Sequence, residues 1–321
     1  MKDLYFYTVR NFQTSNGLVL EDIQLSYQLF GRALHTAPIV LVNHALTGNS
    51  DLNSPERGWW KDIIGDGKLI DTRKFTVIAF NIPGNGYDGH FIEDYKLFTA
   101  KDIAGLFYLT LQGLKIDYLY AVIGGSIGGG LAWEMAALAP KYIKYLIPIA
   151  AHWKSSDWII GHNAIQESIL LNSKKPLQDA RKMAMLFYRT PASFTKKFNR
   201  SKTEDESQYN VVSWLNHHGK KLESRFHLKS YLLMNHLLTT LNIQGEQDAV
   251  EEILQPIEAE IIQIAVDSDL FFVRDEALKT KAILDQLKVK NQYHEIKSLD
   301  GHDAFLIEHE QITQFLKPIF N

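Results

Sequence analysis

Apolar residues in this chain collect in nearly continuous runs: residues 39–42 (IVLV), 75–80 (FTVIAF), 118–123 (YLYAVI), 145–149 (YLIPI), 261–266 (IIQIAV) and a weaker 293–296 (YHEI). A strand that is apolar on both faces must be covered on both faces, which is the situation of a parallel sheet wrapped by helices. Helix-compatible stretches lie between the runs, at 99–114, 130–138 and 275–287. The alternation predicts a mostly parallel, doubly wound α/β sheet. Two earlier segments, 4–12 and 19–30, are rich in aromatic and β-branched residues. The second alternates through Ile23, Leu25, Tyr27 and Leu29 and stops at Gly31, which predicts an antiparallel start to the same sheet.

Residues 152–256 break this rhythm, with helix-like stretches and no convincing strand. We read them as a helical lid inserted into one α/β core, whose first part spans 1–151 and whose second part spans 257–321. The polar piece 196–208 (KKFNRSKTEDESQ) reads as a solvated loop within the lid. With 321 residues and 45% of them apolar, the chain is long enough to bury a large core. A net charge of −3, from 34 basic and 37 acidic side chains, supplies no basic field for nucleic acid and no polybasic patch for a membrane. The chain has no cysteine, so neither disulfides nor thiolate-bound metal are available to it. The start of the chain lacks a signal-peptide core and no stretch approaches the roughly 18 apolar residues of a spanning helix, so a cytoplasmic location is expected.

The run at 118–123 ends on Gly124-Gly125-Ser126-Ile127-Gly128, and a helix-compatible stretch follows at once. Glycines on either side let the chain turn sharply enough to lift a serine hydroxyl from the carboxyl edge of the sheet, with the free N–H groups of the new helix aimed at the same point. A serine hydroxyl becomes a nucleophile only when a neutral imidazole takes its proton, and the imidazole needs a carboxylate to fix its tautomer. The expected chain order is Ser, acid, His, on loops after successive late strands. Asp269 follows the run 261–266 and His302 follows the run 293–296, so Ser126, Asp269 and His302 are the candidate triad. Backbone N–H groups of Leu46, in the loop after 39–42, and of Ile127, after the nucleophile, are the candidate oxyanion hole.

Taken singly, each of these residues has a plainer reading, as a turn serine, a loop carboxylate or a structural histidine. Their joint order after the right strands favours the triad. His44, beside the oxyanion loop, reads as a residue that shapes the turn. His152, His162, His217 and His218 show no metal-ligand spacing, and Trp59-Trp60 reads as a core or lid contact.

The chain resembles the homoserine O-acetyltransferase family of the α/β-hydrolase superfamily. The resemblance rests on His44-Ala45-Leu46-Thr47-Gly48, Gly124-Gly125-Ser126-Ile127-Gly128-Gly129, Asp267-Ser268-Asp269 and Gly301-His302-Asp303-Ala304-Phe305-Leu306. It continues through Ala180-Arg181, Tyr188-Arg189-Thr190, Gly219-Lys220-Lys221, Arg225-Phe226 and Ser230-Tyr231. It implies the α/β-hydrolase fold and acetyl transfer from acetyl-CoA, a co-substrate and not a resident cofactor, to the L-homoserine hydroxyl in methionine biosynthesis. By the same resemblance Arg181 would hold the acceptor's carboxylate with Tyr188 assisting, Asp303 would hold its ammonium, and two copies would pair through the lid helices. Departures fall at residues 82–89, which replace a longer glycine-rich loop, at the short link 172–176, at Glu167 in place of arginine, and at Thr239 and Asn242 in place of acidic residues. Those differences keep two alternatives open: an esterase or thioesterase of the same fold, and an O-succinyltransferase acting on homoserine or serine.

Overall fold

The computed structural model describes residues 3–245 and 249–321. Among these residues ten strands run in chain order: β1 Tyr5–Gln13, β2 Val19–Gly31, β3 Ile39–Asn43, β4 Ile64–Gly65, β5 Ile70–Asp71, β6 Thr76–Phe80, β7 Leu119–Gly125, β8 Ile143–Ile149, β9 Glu260–Val266 and β10 Asn291–Ile296. Eight of them form one sheet in the order β1-β2-β6-β3-β7-β8-β9-β10. β1 and β2 are antiparallel to their neighbours, and the rest of the sheet is parallel. The short parallel pair β4-β5 stands apart, and two-residue strands leave no periodicity from which to expect them.

Helices α1 Ala100–Gly113, α2 Ile127–Leu138, α9 Arg274–Gln286 and α10 His309–Phe320 flank the sheet. Helix α1 starts at Thr99, whose hydroxyl takes the Asp102 N–H while the Asp102 carboxylate takes the Thr99 N–H, a reciprocal cap. The strands divide their side chains between two cores. Leu41, Ile78, Phe80, Val122 and Leu146 point to the side that holds Leu106, Trp133 and Leu284 of the helices. Val40, Val42, Val77, Ala121, Ile123 and Ile147 point to the side that holds Trp60, Ile312, Leu316 and Phe320. Strands buried on both faces explain why the apolar runs are continuous.

Between β8 and β9 come six helices among the described residues: α3 Asp157–Asn172, α4 Pro176–Tyr188, α5 Pro191–Phe198, α6 Asn210–Glu223, α7 Leu228–Thr239 and α8 Val250–Leu254. Residues 246–248 of the expected insertion lie outside the described residues. The expected loop at 196–208 is helical at its start: Pro191 at the first turn and the Thr190 cap carry α5 through Phe198. The chain then leaves the helix through Asn199 in the left-handed conformation, and the remainder is mostly exposed. No helix among the described residues is long and apolar enough to cross a membrane.

The strand order reverses between β3 and β7. Loops leaving their carboxyl ends part in opposite directions there and open a crevice, the usual place for a ligand in such sheets. Residues 44–49 leave β3 on one side of that crevice, and the turn at Ser126 leaves β7 on the other.

That turn is held by contact. A Cβ on Gly124 would lie 2.4 Å from the Gly128 carbonyl carbon, and one on Gly128 would lie 2.5 Å from the Asn43 carbonyl oxygen. Gly128→Ala should therefore lower folding stability by ~1–3 kcal/mol, the cost of forcing a methyl into packed backbone. The measurement is a urea titration, where the midpoint should fall with the slope unchanged; an unshifted midpoint would show that the turn relaxes freely.

Candidate active site

Ser126 occupies the N-cap position of α2 with φ 57° and ψ −130°. This conformation is sparsely populated for a residue with a side chain and costs about 1–3 kcal/mol. Its hydroxyl makes no cap to the helix, and its Oγ lies 2.9 Å from His302 Nε2. His302 Nδ1 lies 2.7 Å from Asp269 Oδ2. The other oxygen of Asp269 accepts the backbone N–H groups of Phe271 (2.7 Å) and Phe272 (2.9 Å). With both carboxylate oxygens so engaged, the orientation is set: Nδ1 carries the proton toward Asp269 and the Nε2 lone pair faces the serine. The structure thus brings Ser126, Asp269 and His302 into one hydrogen-bonded line, with each residue no more than 5% exposed.

Aromatic rings enclose the imidazole. The centroids of Phe271, Tyr188, Phe305 and Phe272 lie 5.1, 5.4, 5.4 and 5.6 Å from that of His302. Water is thereby kept off most of the ring, which strengthens the charge interactions along the line.

The N–H groups of Leu46 and Ile127 take no acceptor among the described residues, as a pair of oxyanion donors requires. His44 supports the first of them. Its Nδ1–H donates to the Ala45 carbonyl at 2.8 Å, and its Nε2 accepts the Ile82 N–H at 3.1 Å. Burial pushes its pKa down to about 4. It is a neutral strut, and the turn-shaping reading of His44 describes it well. Beneath the same loop, Ser50 N–H donates to Asn81, and the Asn81 amide donates to the hydroxyls of Ser26 and Ser50. The Trp59 indole donates to the Asn49 carbonyl and the Trp60 indole to the Phe305 carbonyl. The tryptophan pair therefore buttresses both catalytic-side loops.

The inserted helices supply the far wall. The Arg181 guanidinium sits 5.5 Å over the Tyr188 ring and has no acidic partner within salt-bridge distance among the described residues. Burial raises the pKa of the Tyr188 hydroxyl, and its ring leans on His302. Asp303 follows His302 directly, but one of its oxygens, Oδ2, already receives Arg189 Nε at 2.9 Å. Only Oδ1 is left for another cation. Arg189 and Arg225 were given no role by sequence reasoning. Arg225 reaches from the end of α6 to the oxyanion loop, with Nη1 donating to the Thr47 carbonyl at 2.8 Å and Nη2 to its hydroxyl at 3.2 Å. Burial first, and then the neighbouring Arg181 charge, lower its pKa to about 10. A cavity of about 300 Å3 opens beside this contact, lined among others by Thr47, Asn49, Asn85, Tyr87, Phe91 and Arg225.

Glu167, Thr239 and Asn242, at which the chain departs from the family pattern, each find a partner of their own. Glu167 accepts the Tyr95 hydroxyl at 2.6 Å and pairs with Lys96 at 3.3 Å, tying the residues after the altered loop to α3. Thr239 accepts the Asn163 amide, and the Asn242 N–H donates to the buried Glu134. His218 packs on Trp214, with ring centroids 4.2 Å apart. No group of three or more metal-ligating side chains occurs among the described residues.

A strained serine after a parallel strand, bonded to a histidine and an acid from two later strand ends, defines the class of serine-nucleophile α/β hydrolases. Accordingly, a family model described as alpha/beta hydrolase fold matches residues 38–258. A homoserine O-acetyltransferase of Cyclobacterium marinum is 30% identical, over 98% of this chain and 94% of the relative. A solved homoserine O-acetyltransferase from Staphylococcus aureus superposes with a TM-score of 0.84 at 27% identity, covering 99% of this chain and 95% of that one. The esterase E22 superposes with a TM-score of 0.88 over the whole of both chains at 19% identity, a likeness of fold alone. The chain belongs to the homoserine O-acetyltransferase family of the α/β hydrolases.

Two outcomes follow from this geometry. Asp269→Asn should lower the rate at which a fluorophosphonate labels Ser126 by on the order of 10^3- to 10^4-fold, because an amide cannot hold the productive tautomer. Labelling at the wild-type rate would remove Asp269 from the line. Burial also pushes the pKa values of His44, His152 and His162 down to about 4, below the usual 6.5 of an imidazole. A depressed folded pKa contributes stability that is present above pH 6.5 and lost as the pH falls toward 4. Urea midpoints should thus drop steadily across that window, and a flat profile would mean that these rings are not buried neutral.

Proposed function

We propose that this chain transfers an acetyl group from acetyl-CoA to the hydroxyl of L-homoserine through an acyl-Ser126 intermediate. The observation that carries the reading is the Arg181 cation, which has no acidic partner among the described residues and stacks on Tyr188 against the imidazole of His302. A simple esterase needs no free guanidinium near its base, whereas an amino-acid acceptor needs one for its carboxylate.

The proton accounting is as follows. His302 Nε2 takes the proton of Ser126 Oγ as that oxygen attacks the thioester carbonyl, and Asp269 stabilises the imidazolium. The N–H groups of Leu46 and Ile127 receive the oxyanion. Collapse breaks the C–S bond, and the proton on Nε2 leaves with the CoA sulfur. The acceptor hydroxyl then gives its proton to Nε2 and attacks the acyl carbon. The second collapse breaks the ester bond to Ser126, whose oxygen recovers the proton. Arg181 with Tyr188 takes the acceptor carboxylate, and Oδ1 of Asp303 takes the ammonium. The cavity beside Thr47 and Arg225 suits the donor's amide-bearing arm, since Asn49 offers an amide group among its lining residues.

Residues 152–256 act as the lid. Trp158, Ile165, Leu171 and Leu186 stand exposed on α3 and α4, an apolar face that supports pairing of two copies through these helices. No Cys-dependent chemistry or spanning helix enters the scheme, and we place the enzyme in the cytoplasm.

Acetyl-CoA alone should release one equivalent of CoA per chain and leave one acetyl group on Ser126, read by intact-mass and peptide mass spectrometry. L-homoserine should discharge it much faster than buffer does. Equal discharge by buffer and homoserine would refute the transferase reading, and turnover of small esters without effect of any amino acid would favour the hydrolase.

A further inference from the structure

We propose that Arg189 is the positioning residue of the catalytic histidine, a clamp by which the inserted helices hold the loop that carries His302. The inference rests on the reading of His302 as the base of acyl transfer. Arg189 caps the C-terminus of α4. Its Nη1 bonds the Asp300 carboxylate, and its Nε donates to Asp303 Oδ2 at 2.9 Å. These carboxylates stand two residues before and one residue after His302, so one planar guanidinium grips the loop on both sides of the imidazole. The three side chains are only 20%, 32% and 14% exposed, which spares the pairs much of the solvent screening that weakens surface ion pairs.

The neighbouring residues continue the grip. Thr190 Oγ1 donates to the Leu299 carbonyl and Ser193 Oγ to Asp300 Oδ1, each at 2.6 Å. Gly301 lies at φ 62°, and a Cβ there would come within 2.9 Å of the Tyr188 carbonyl oxygen. The loop is pressed flat on the backbone of the insertion. It needs outside support, because Gly301–Leu306 is a short 3-10 helix that its N-cap residue Asp300 does not cap, and such helices have poor hydrogen-bond geometry of their own.

Charge gives the clamp a second consequence. Asp269 bonds the imidazole at Nδ1, and Asp300 and Asp303 bring two further carboxylates into the loop that carries it. Burial opposes the Asp300 charge, but the Ser193 hydroxyl and the Arg189 cation outweigh it and hold that carboxyl below its usual range. Arg189 supplies the counter-charge to those two, and its removal would leave both carboxylates unpaired beside the histidine in sequence. The other groups facing this cluster are His162 and Tyr188 beside His302, Lys197 beside Asp300, and His218 of α6 beside Arg189.

The test follows acylation of Ser126 by 4-nitrophenyl acetate in a single turnover, which needs neither acetyl-CoA nor homoserine. Arg189→Met should slow acylation at pH 7 by ~10- to 100-fold, the scale of loss from a misplaced catalytic group. The acidic limb of its pH profile should move up by roughly one unit as the two carboxylates lose their counter-charge. Arg189→Lys, which reaches one carboxylate but not both, should fall between, and added guanidinium ion should restore part of the Arg189→Met rate. Ser193→Ala, which loosens the same loop without removing charge, should leave the limb in place. A wild-type acylation rate in Arg189→Met with only the homoserine KM raised would overturn the proposal in favour of an acceptor subsite. An equal loss in Arg189→Met and Ser193→Ala with neither limb moved would overturn it in favour of simple loop stability. Should Arg189→Met fail to fold, Arg189→Lys decides by the same two readings. If the wild type reacts with the ester but homoserine never discharges it, the transferase reading fails and the clamp is still judged.

Discussion

The backbone of Ser126 is bent into a conformation that a side chain resists, and the surrounding contacts keep it there. Gly124 and Gly128 approach each other and the end of β3 so closely that no Cβ fits between them. Ser126 N–H donates to the Ile149 carbonyl of β8 at 2.9 Å, and the Asn43 amide donates to the Gly128 carbonyl at 3.2 Å. The strain is thus divided among three neighbouring strands of a sheet buried on both faces, where the lattice of contacts is stiffest. A hydroxyl spent on capping α2 would be unavailable to a base. Because the turn aims it away from the helix instead, every later element of the site has a fixed point to be built toward.

Two of those elements are short of rigidity on their own. The loop after β3 is held from below by neutral polar contacts through His44, Asn81 and Ser50. The loop after β10 has Ser268 beneath it, accepting the Gly301 N–H at 3.2 Å. In both cases an arginine of the insertion adds to that support: Arg225 on Thr47 and Arg189 on Asp300 and Asp303. The insertion is therefore tied by hydrogen bonds and charge to the two loops that the chemistry would use, besides walling off the crevice. Arg181 is the exception among these three cations, stacked on an aromatic ring with no hydrogen-bond or ion-pair partner among the described residues. That asymmetry is what a substrate anion would complete.

Much of this was legible in the sequence, for identifiable reasons. Continuous apolar runs report two-sided burial directly, so the main strands were placed to within a few residues. The triad was legible because its order follows from topology: β7, β9 and β10 end on the same edge. What stayed hidden depends on pairing across long separations. Nothing in the spacing of Arg189 and Asp300, 111 positions apart, says that they meet. The one available hint was a buried-loop histidine flanked by Asp300 and Asp303, since two carboxylates in a partly closed site call for a cation. The assignment of Asp303 to an ammonium likewise came from resemblance alone, and it could not show that half of that carboxylate is already engaged. Pro191 and Thr190 were a legible helix start for α5, outweighed by the polar composition that followed.

The fold is compatible with both water and an amino acid as acyl acceptor, so the balance must lie in what reaches Nε2 of His302. Four aromatic rings crowd that imidazole, and a water that enters must be placed without much polar support. A homoserine held at its carboxylate by Arg181 and at its ammonium by Asp303 would be positioned by charge at both ends, converting a bimolecular attack into a local one. Effective concentrations from such placement reach far above the ~55 M of bulk water in favourable cases. The free oxygen of Asp303 is then decisive, because it is the only polar atom of that pair of charges whose direction depends on Arg189. If the guanidinium sets where that oxygen points, the same contact that steadies the base also selects the acceptor, and transfer over hydrolysis becomes a property of how the inserted helices meet the histidine loop.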